Sequence, residues 1–155
     1  VRMRLEPYLD PNLAIVLDKP GDKDAVLAAL ADLGAPALGL EPADVLAALR
    51  AREAQMPTST PEGVAFPHAL LKGLERTIVI PMRLRPGLRF GSTNHPPADL
   101  VFGMIGPDDR PWDHLRILAR LARLLRIDSV RDRLRNANTA DELAEALLQE
   151  DRDHE

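Results

Sequence analysis

The chain has 155 residues, 45% of them hydrophobic and 28% charged, which suits one folded domain and excludes a disordered segment. It contains no cysteine, so a disulfide framework, a thiolate zinc site, an iron–sulfur cluster and a cysteine nucleophile are all excluded. A net charge of −4 and only five aromatic residues, Tyr8, Phe66, Phe90, Phe102 and Trp112, argue against nucleic acid as a partner. From the N-terminus, residues 13–17 form a short apolar run that reads as a strand. Asp22 is a candidate N-cap for a helix over about 23–33, with Gly34 in the position that ends it. Pro42 opens a second helix over about 42–55, where its missing N–H costs nothing. Residues 56–63 hold two of the fourteen prolines and read as a loop.

Val64 to Phe66 is a short strand expected to end at Pro67-His68. The β-branched run from Thr77 to Leu84 and the apolar run from Asp99 to Ile105 are two further strands. The stretch between them, Arg85 to Ala98, reads as a long loop with a short extended piece at Leu88 to Phe90. A helix over about 111–126 carries Leu115, Leu118, Leu121, Ala122 and Leu125 on one side. Ser129 is expected to cap a short helix to about Arg135, and Thr139 with Glu142 forms a capping box for a final helix to about Gln149. The expected fold is α/β: a single layered domain over residues 1–150, a mixed β-sheet flanked by helices, and a helical C-terminal third. Residues 151–155 read as a frayed tail. No apolar run approaches the ~20 residues of a membrane helix. The segment Val1 to Glu6 lacks the apolar centre of a secretory signal, so a cytoplasmic protein without membrane insertion is expected.

Of the four histidines, His154 lies in the tail and His95 in a polar loop, where an exposed side chain is expected. His68 follows an apolar strand closed by proline. Strand ends in α/β sheets hold reactive groups rigidly while one side stays open, although a histidine merely satisfied within a turn fits the same residues. His114 sits in the first turn of the 111–126 helix, in line with Leu118, Leu121 and Leu125, at the helix end that favours an anion. A half-buried histidine bonded to its own helix end is the plainer alternative. Arg116, Arg120, Arg123 and Arg126 read as a solvated helix face, since Asp128 and Asp132 are near and the C-terminus is acidic. There is no glycine-rich phosphate loop, no H-E-x-x-H and no G-x-S-x-G, and His68 and His114 lack metal-motif spacing, so no metal and no cofactor is expected.

The segment Gly63-Val64-Ala65-Phe66-Pro67-His68-Ala69 resembles the active-site segment of type-2 enzyme IIA domains of the phosphoenolpyruvate-dependent phosphotransferase system. Arg52-Glu53, sixteen residues before His68, is similar to that family's Arg-Glu pair at a helix end. Residues 99–105 and His114 to Ala119 resemble its later strand and second histidine, and Leu121 to Leu148 resembles the nitrogen-regulatory subgroup. In the loop before the histidine, Thr58 falls at the family's threonine, while Pro57 and Pro61 depart from its small residues. The resemblance implies a phosphoryl relay. His68 accepts the group from the phosphocarrier protein HPr or its nitrogen-branch paralogue, His114 supports the phosphate, and Arg52 and Thr58 bind it. It implies as partner a target protein whose binding depends on phosphorylation, or, for a sugar-transport relative, an enzyme IIB. A binding module of the same fold that transfers no phosphoryl group is the other-class alternative, favoured by the two prolines.

Overall fold

The central strands are apolar at nearly every position because both faces of their sheet are covered. In the computed structural model, which describes residues 3–91 and 94–154, these strands are β4 (Ile78–Leu88) and β5 (Ala98–Pro107). They pair antiparallel. Side chains alternate across them. Ile78, Ile80, Met82, Val101 and Ile105 enter one core, while Val79, Leu100, Phe102 and Met104 enter the other. The first core lies against α1 (Lys23–Ala37) and α2 (Pro42–Gln55), the second against α3 (Pro111–Leu125), α4 (Asp128–Arg135) and α5 (Ala140–Asp153). The result is the mixed α/β layering expected from the element order. β1 (Ile15–Asp18) pairs parallel with β4 on one side. β2 (Val64–Ala65) and β3 (His68–Leu71) pair parallel with β5 on the other.

One expected stop is not a stop, and another only interrupts. Gly34 lies inside α1, which runs on to Ala37; a Cβ there would meet Ile105 Cδ1 at 2.6 Å. Gly103 answers it from β5, where a Cβ would fall 2.3 Å from Leu30 Cδ1. These glycines let helix and sheet approach closely, and the left-handed turn after the helix falls to Gly39, at φ 69°. Pro67 does interrupt the edge, since β2 ends at Ala65, but the sheet resumes at His68 as β3. Val64 stands opposite Leu100, Ala65 opposite Val101, His68 opposite Met104 and Ala69 opposite Ile105, so one register runs straight through the proline. Pro67 lacks an N–H to donate, but its carbonyl accepts from Met104 N at 3.0 Å. His68 therefore opens a paired strand.

Asp22 caps α1 by accepting from Ala25 N, and Thr139 caps α5 by accepting from Glu142 N, both as expected. Ser129 is not a cap: α4 begins at Asp128 after Ile127. β4 runs to Leu88, so the long loop is shorter than its prolines and glycines suggested. On α3 the inward face is His114, Ile117, Arg120, Leu121, Leu124 and Leu125, while Leu115 is exposed. The frayed tail is also corrected. α5 continues to Asp153, and Asp151 is fully buried, because it receives the guanidinium of Arg120, itself an inward residue and not part of a solvated face.

Candidate active site

The partners of His68 fix which ring nitrogen carries the proton. His68 Nδ1 lies 3.0 Å from the carbonyl oxygen of Phe66, and Arg52 Nε lies 3.0 Å from His68 Nε2. A carbonyl only accepts and a guanidinium only donates, so both contacts are satisfied by one tautomer. The proton sits on Nδ1 and is given to Phe66, and Nε2 offers its lone pair to Arg52. Arg52 comes from the last turn of α2, where the helix carbonyls favour a cation, and its Nη1 donates to Met56 O at 3.0 Å. It is half-buried, at the rim of the site.

His114 enters from the first turn of α3. Its ring centroid is 4.5 Å from that of His68, with the planes tilted by 52°. Both imidazoles are buried, His68 at 8% and His114 at 7% exposure, which puts the two histidines in one desolvated pocket. His114 Nδ1 is buried with no hydrogen-bond partner among the described residues. Burial pushes its pKa down to about 4, and the nearby His68 and Arg52 push the same way. His68 is also held below the ordinary imidazole range, first by burial and then by Arg52, against the Phe66 hydrogen bond and Glu53. At neutral pH both rings are uncharged.

This gives an expected outcome for stability. A base whose folded pKa is depressed contributes fully above its unfolded pKa, ~6.5, and the contribution is lost as pH falls toward the folded value. With a folded value of about 4, His114 makes the protein lose up to ~3 kcal/mol between those limits. Urea unfolding at pH 7, 5.5 and 4 measures it. A His114→Gln variant loses less stability over the same range, and the difference isolates this ring from the carboxylates that titrate alongside.

Thr58 is engaged within the protein. Its hydroxyl donates to Glu53 Oε1 and not toward His68. The reason is that Glu53 is 5% exposed and needs partners: Thr58 serves one oxygen, and Lys23 Nζ stands 2.7 Å from the other. Lys23 also donates to Phe90 O, so this carboxylate ties α1, α2, the 56–63 loop and the segment after β4 together. Pro57 and Pro61 are accommodated. Ser59 bridges Ala65 antiparallel, and the pairing uses Thr58 O and Thr60 N, neither of which a proline must supply. His95 is half-buried, not exposed, with Nδ1 3.1 Å from Ser59 Oγ; its loop neighbours Ser92 and Thr93 lie outside the described residues. Among the described residues no three His, Asp or Glu side chains are grouped to hold a metal ion.

The comparisons with known proteins bear on this geometry. The family model described as phosphoenolpyruvate-dependent sugar phosphotransferase system, EIIA 2, matches residues 7–150. The chain belongs to the type-2 enzyme IIA family. A nitrogen regulatory protein of Pseudomonas aeruginosa is 33% identical over 94% of this chain and 96% of its own length. The crystal structure of the nitrogen regulatory protein IIA-Ntr from Neisseria meningitidis superposes with a TM-score of 0.82 at 28% identity, covering 91% of this chain and 97% of that one. A fructose-specific EIIA component of Haloferax volcanii is 29% identical over 85% of this chain and 86% of its own length. The chain thus sits with the nitrogen-regulatory branch of the enzyme IIA family, with the sugar branch less similar.

Sequence reasoning named the two histidines and Arg52 that this enzyme IIA domain brings together. It missed Lys23 and the anchoring part of Glu53. Lys23 makes contacts thirty and more residues away, and no local pattern announces them. The exposed apolar side chains Met56, Trp112 and Leu115 were also missed, 65%, 61% and 63% exposed. Trp112 and Leu115 flank His114 in sequence, and Met56 carries the carbonyl that holds Arg52.

Proposed function

We propose that this enzyme IIA domain is a phosphoryl relay of the nitrogen-regulatory type, with His68 Nε2 as the atom that carries the group. The observation that carries the reading is the tautomer: a neutral imidazole with Nδ1–H held by Phe66 and the Nε2 lone pair directed at Arg52. In the transfer, the N–P bond of a phosphohistidine on HPr or its nitrogen-branch paralogue breaks as an N–P bond to His68 Nε2 forms. No proton moves, because Nδ1 keeps its own and Nε2 has none to lose. The transition state spreads negative charge over the three phosphoryl oxygens, so positioning and positive electrostatics do the catalysis. Arg52 supplies a guanidinium within reach once it withdraws from the lone pair. His114 supplies a ring nitrogen without a partner, in the first turn of a helix. Met56, Trp112 and Leu115 give a donor or target protein an apolar rim to dock on.

Identity and coverage with the nitrogen regulatory proteins support regulation through a phosphorylation-dependent target over donation to a sugar-transport enzyme IIB. The test is incubation with enzyme I, HPr and phosphoenolpyruvate, followed by intact-mass measurement. The expected result is a gain of one phosphoryl group, lost on acid treatment and retained in base. No gain with either HPr or its nitrogen-branch paralogue overturns the relay and leaves a binding module of the same fold.

A further inference from the structure

A second concavity shares no residue with the His68–His114 site. On α5 the side chains Asp141, Ala144, Glu145 and Leu148 recur at the spacing of one helical stripe, and Arg152 continues it. The stripe faces Leu9 and Pro11 of the N-terminal segment and Pro81 of β4, and together they bound a cavity of about 580 Å³. That volume falls in the ~300–1,000 Å³ range of clefts that hold ligands. Its apolar lining is Leu9, Pro11, Pro81, Ala144 and Leu148.

The charged lining is mainly acidic. Glu6, Asp10, Asp141 and Glu145 line the same cavity, with Arg152 as the cation among them. Arg152 is already taken, since both its Nε and Nη2 donate to the Glu6 carboxylate, at 3.1 and 2.9 Å. Asp10, Asp141 and Glu145 form no ion pair among the described residues, so the groove keeps a surplus of negative charge beside apolar surface. The backbone decides the form of what fits. β1 begins its pairing opposite Met82, one residue beyond Pro81, and Pro81 has no N–H to offer an added strand. Strand addition is therefore blocked where β4 meets the groove. The stripe from Asp141 to Arg152 instead presents three helical turns, roughly 16 Å, to a partner lying alongside.

We propose that this groove docks a basic amphipathic helix of a partner protein. Apolar side chains at i, i+3 or i+4 and i+7 of that helix lie on Leu9, Ala144 and Leu148, and its flanking lysines or arginines meet Asp10, Asp141 and Glu145. The proposal stands apart from the phosphoryl reading, and its test keeps the two apart.

The probe is a synthetic helical peptide of about four turns with leucines at that spacing and lysines on both flanks. Its counterpart carries glutamates in place of the lysines. Each is titrated into isotope-labelled full chain and followed by amide chemical shifts. The expected result is binding of the lysine peptide at least ~tenfold tighter than the glutamate one, weakened by salt, with shifts centred on Leu9, Ala144 and Leu148. An Asp141→Lys/Glu145→Lys variant weakens it at least ~tenfold, as does Leu148→Gln. All three positions lie at the surface of α5, and circular dichroism and a thermal melt verify the fold of each variant. A His68→Ala chain binds the peptide like the parent. Equal binding of the two peptides, shifts centred on Met56, Trp112 and Leu115, or an Asp141→Lys/Glu145→Lys chain that binds unchanged would each overturn the proposal.

Discussion

A His68→Ala chain mixed with enzyme I, HPr and phosphoenolpyruvate gains no acid-labile phosphate, and an Arg52→Ala chain gains it roughly 10²–10³ times more slowly. The two losses differ in kind. In the proposed relay His68 provides the atom to which phosphorus bonds, and His114, whose ring centroid lies 4.5 Å away, supports the arriving oxygens without replacing that atom. In the same proposal Arg52 provides charge. Its Nε stands 3.0 Å from the lone pair, on the line phosphorus must take, so it must pivot aside before transfer and then lies next to the oxygens that gain charge. Arg52→Lys keeps a charge but loses the planar fork, and recovers only part of the rate. A second readout separates electrostatic help from mere ring-holding. Arg52 lowers the His68 pKa, so its removal raises that pKa and moves the acid limb of the pH–rate profile to higher pH. An Arg52→Ala chain with parental rate and an unmoved acid limb would reduce Arg52 to a packing residue. Phosphate retained by His68→Ala would move the acceptor elsewhere.

What could be read from the residues, and what could not, divides by the range of the interaction. Asp22 and Thr139 cap their helices through bonds to residues three positions on, and such local signals were legible. Pro42 was legible for the same reason. Gly34 was misread as a terminator because its usual local meaning is overridden by a contact far along the chain, with Ile105; Pro67 does close β2, but that the sheet resumes at His68 depends on pairing with distant Met104. Arg120 looked like one of a row of solvated arginines, and only the fold brings it to Asp151. At the site, the histidines and Arg52 stood out through a pattern along the sequence. The tautomer of His68 did not, since it depends on a carbonyl and a guanidinium meeting opposite edges of one ring. The Thr58 hydroxyl's bond to the buried Glu53 was not legible either, since it depends on the 56–63 loop folding back onto α2.

The largest stability effect is expected at that hidden pair. Replacing Asp151 by alanine lowers the free energy of unfolding by about 3–5 kcal/mol, against a total of roughly 5–15 kcal/mol for a domain. Asp151 is 0% exposed and Arg120 2%. One carboxylate oxygen accepts from Arg120 Nε at 3.1 Å, and the other accepts from the backbone N–H groups of Leu5 and Glu6, at 3.0 and 3.1 Å. Arg120 also donates to the carbonyls of Asp151 and His154, and Arg4 reaches the same two carbonyls. The residues that looked like a loose tail thus join the N-terminal segment to α3. Alanine leaves a buried guanidinium without its counter-charge and two N–H groups without an acceptor, and the first of these dominates because an unpaired buried charge costs more than a lost hydrogen bond. The pair itself need not be stabilising relative to apolar side chains, so an Arg120→Met/Asp151→Ala chain is expected to recover much of the loss. Urea unfolding of the parent, both single variants and the double variant measures the coupling. Amide exchange at Leu5 and Glu6 adds a local reading: both accelerate in Asp151→Ala and stay fast in the double variant, since their acceptor is absent in each. A single-variant loss below about 1 kcal/mol is what an exposed ion pair would give, and it would mean that water reaches Arg120 when its partner is removed.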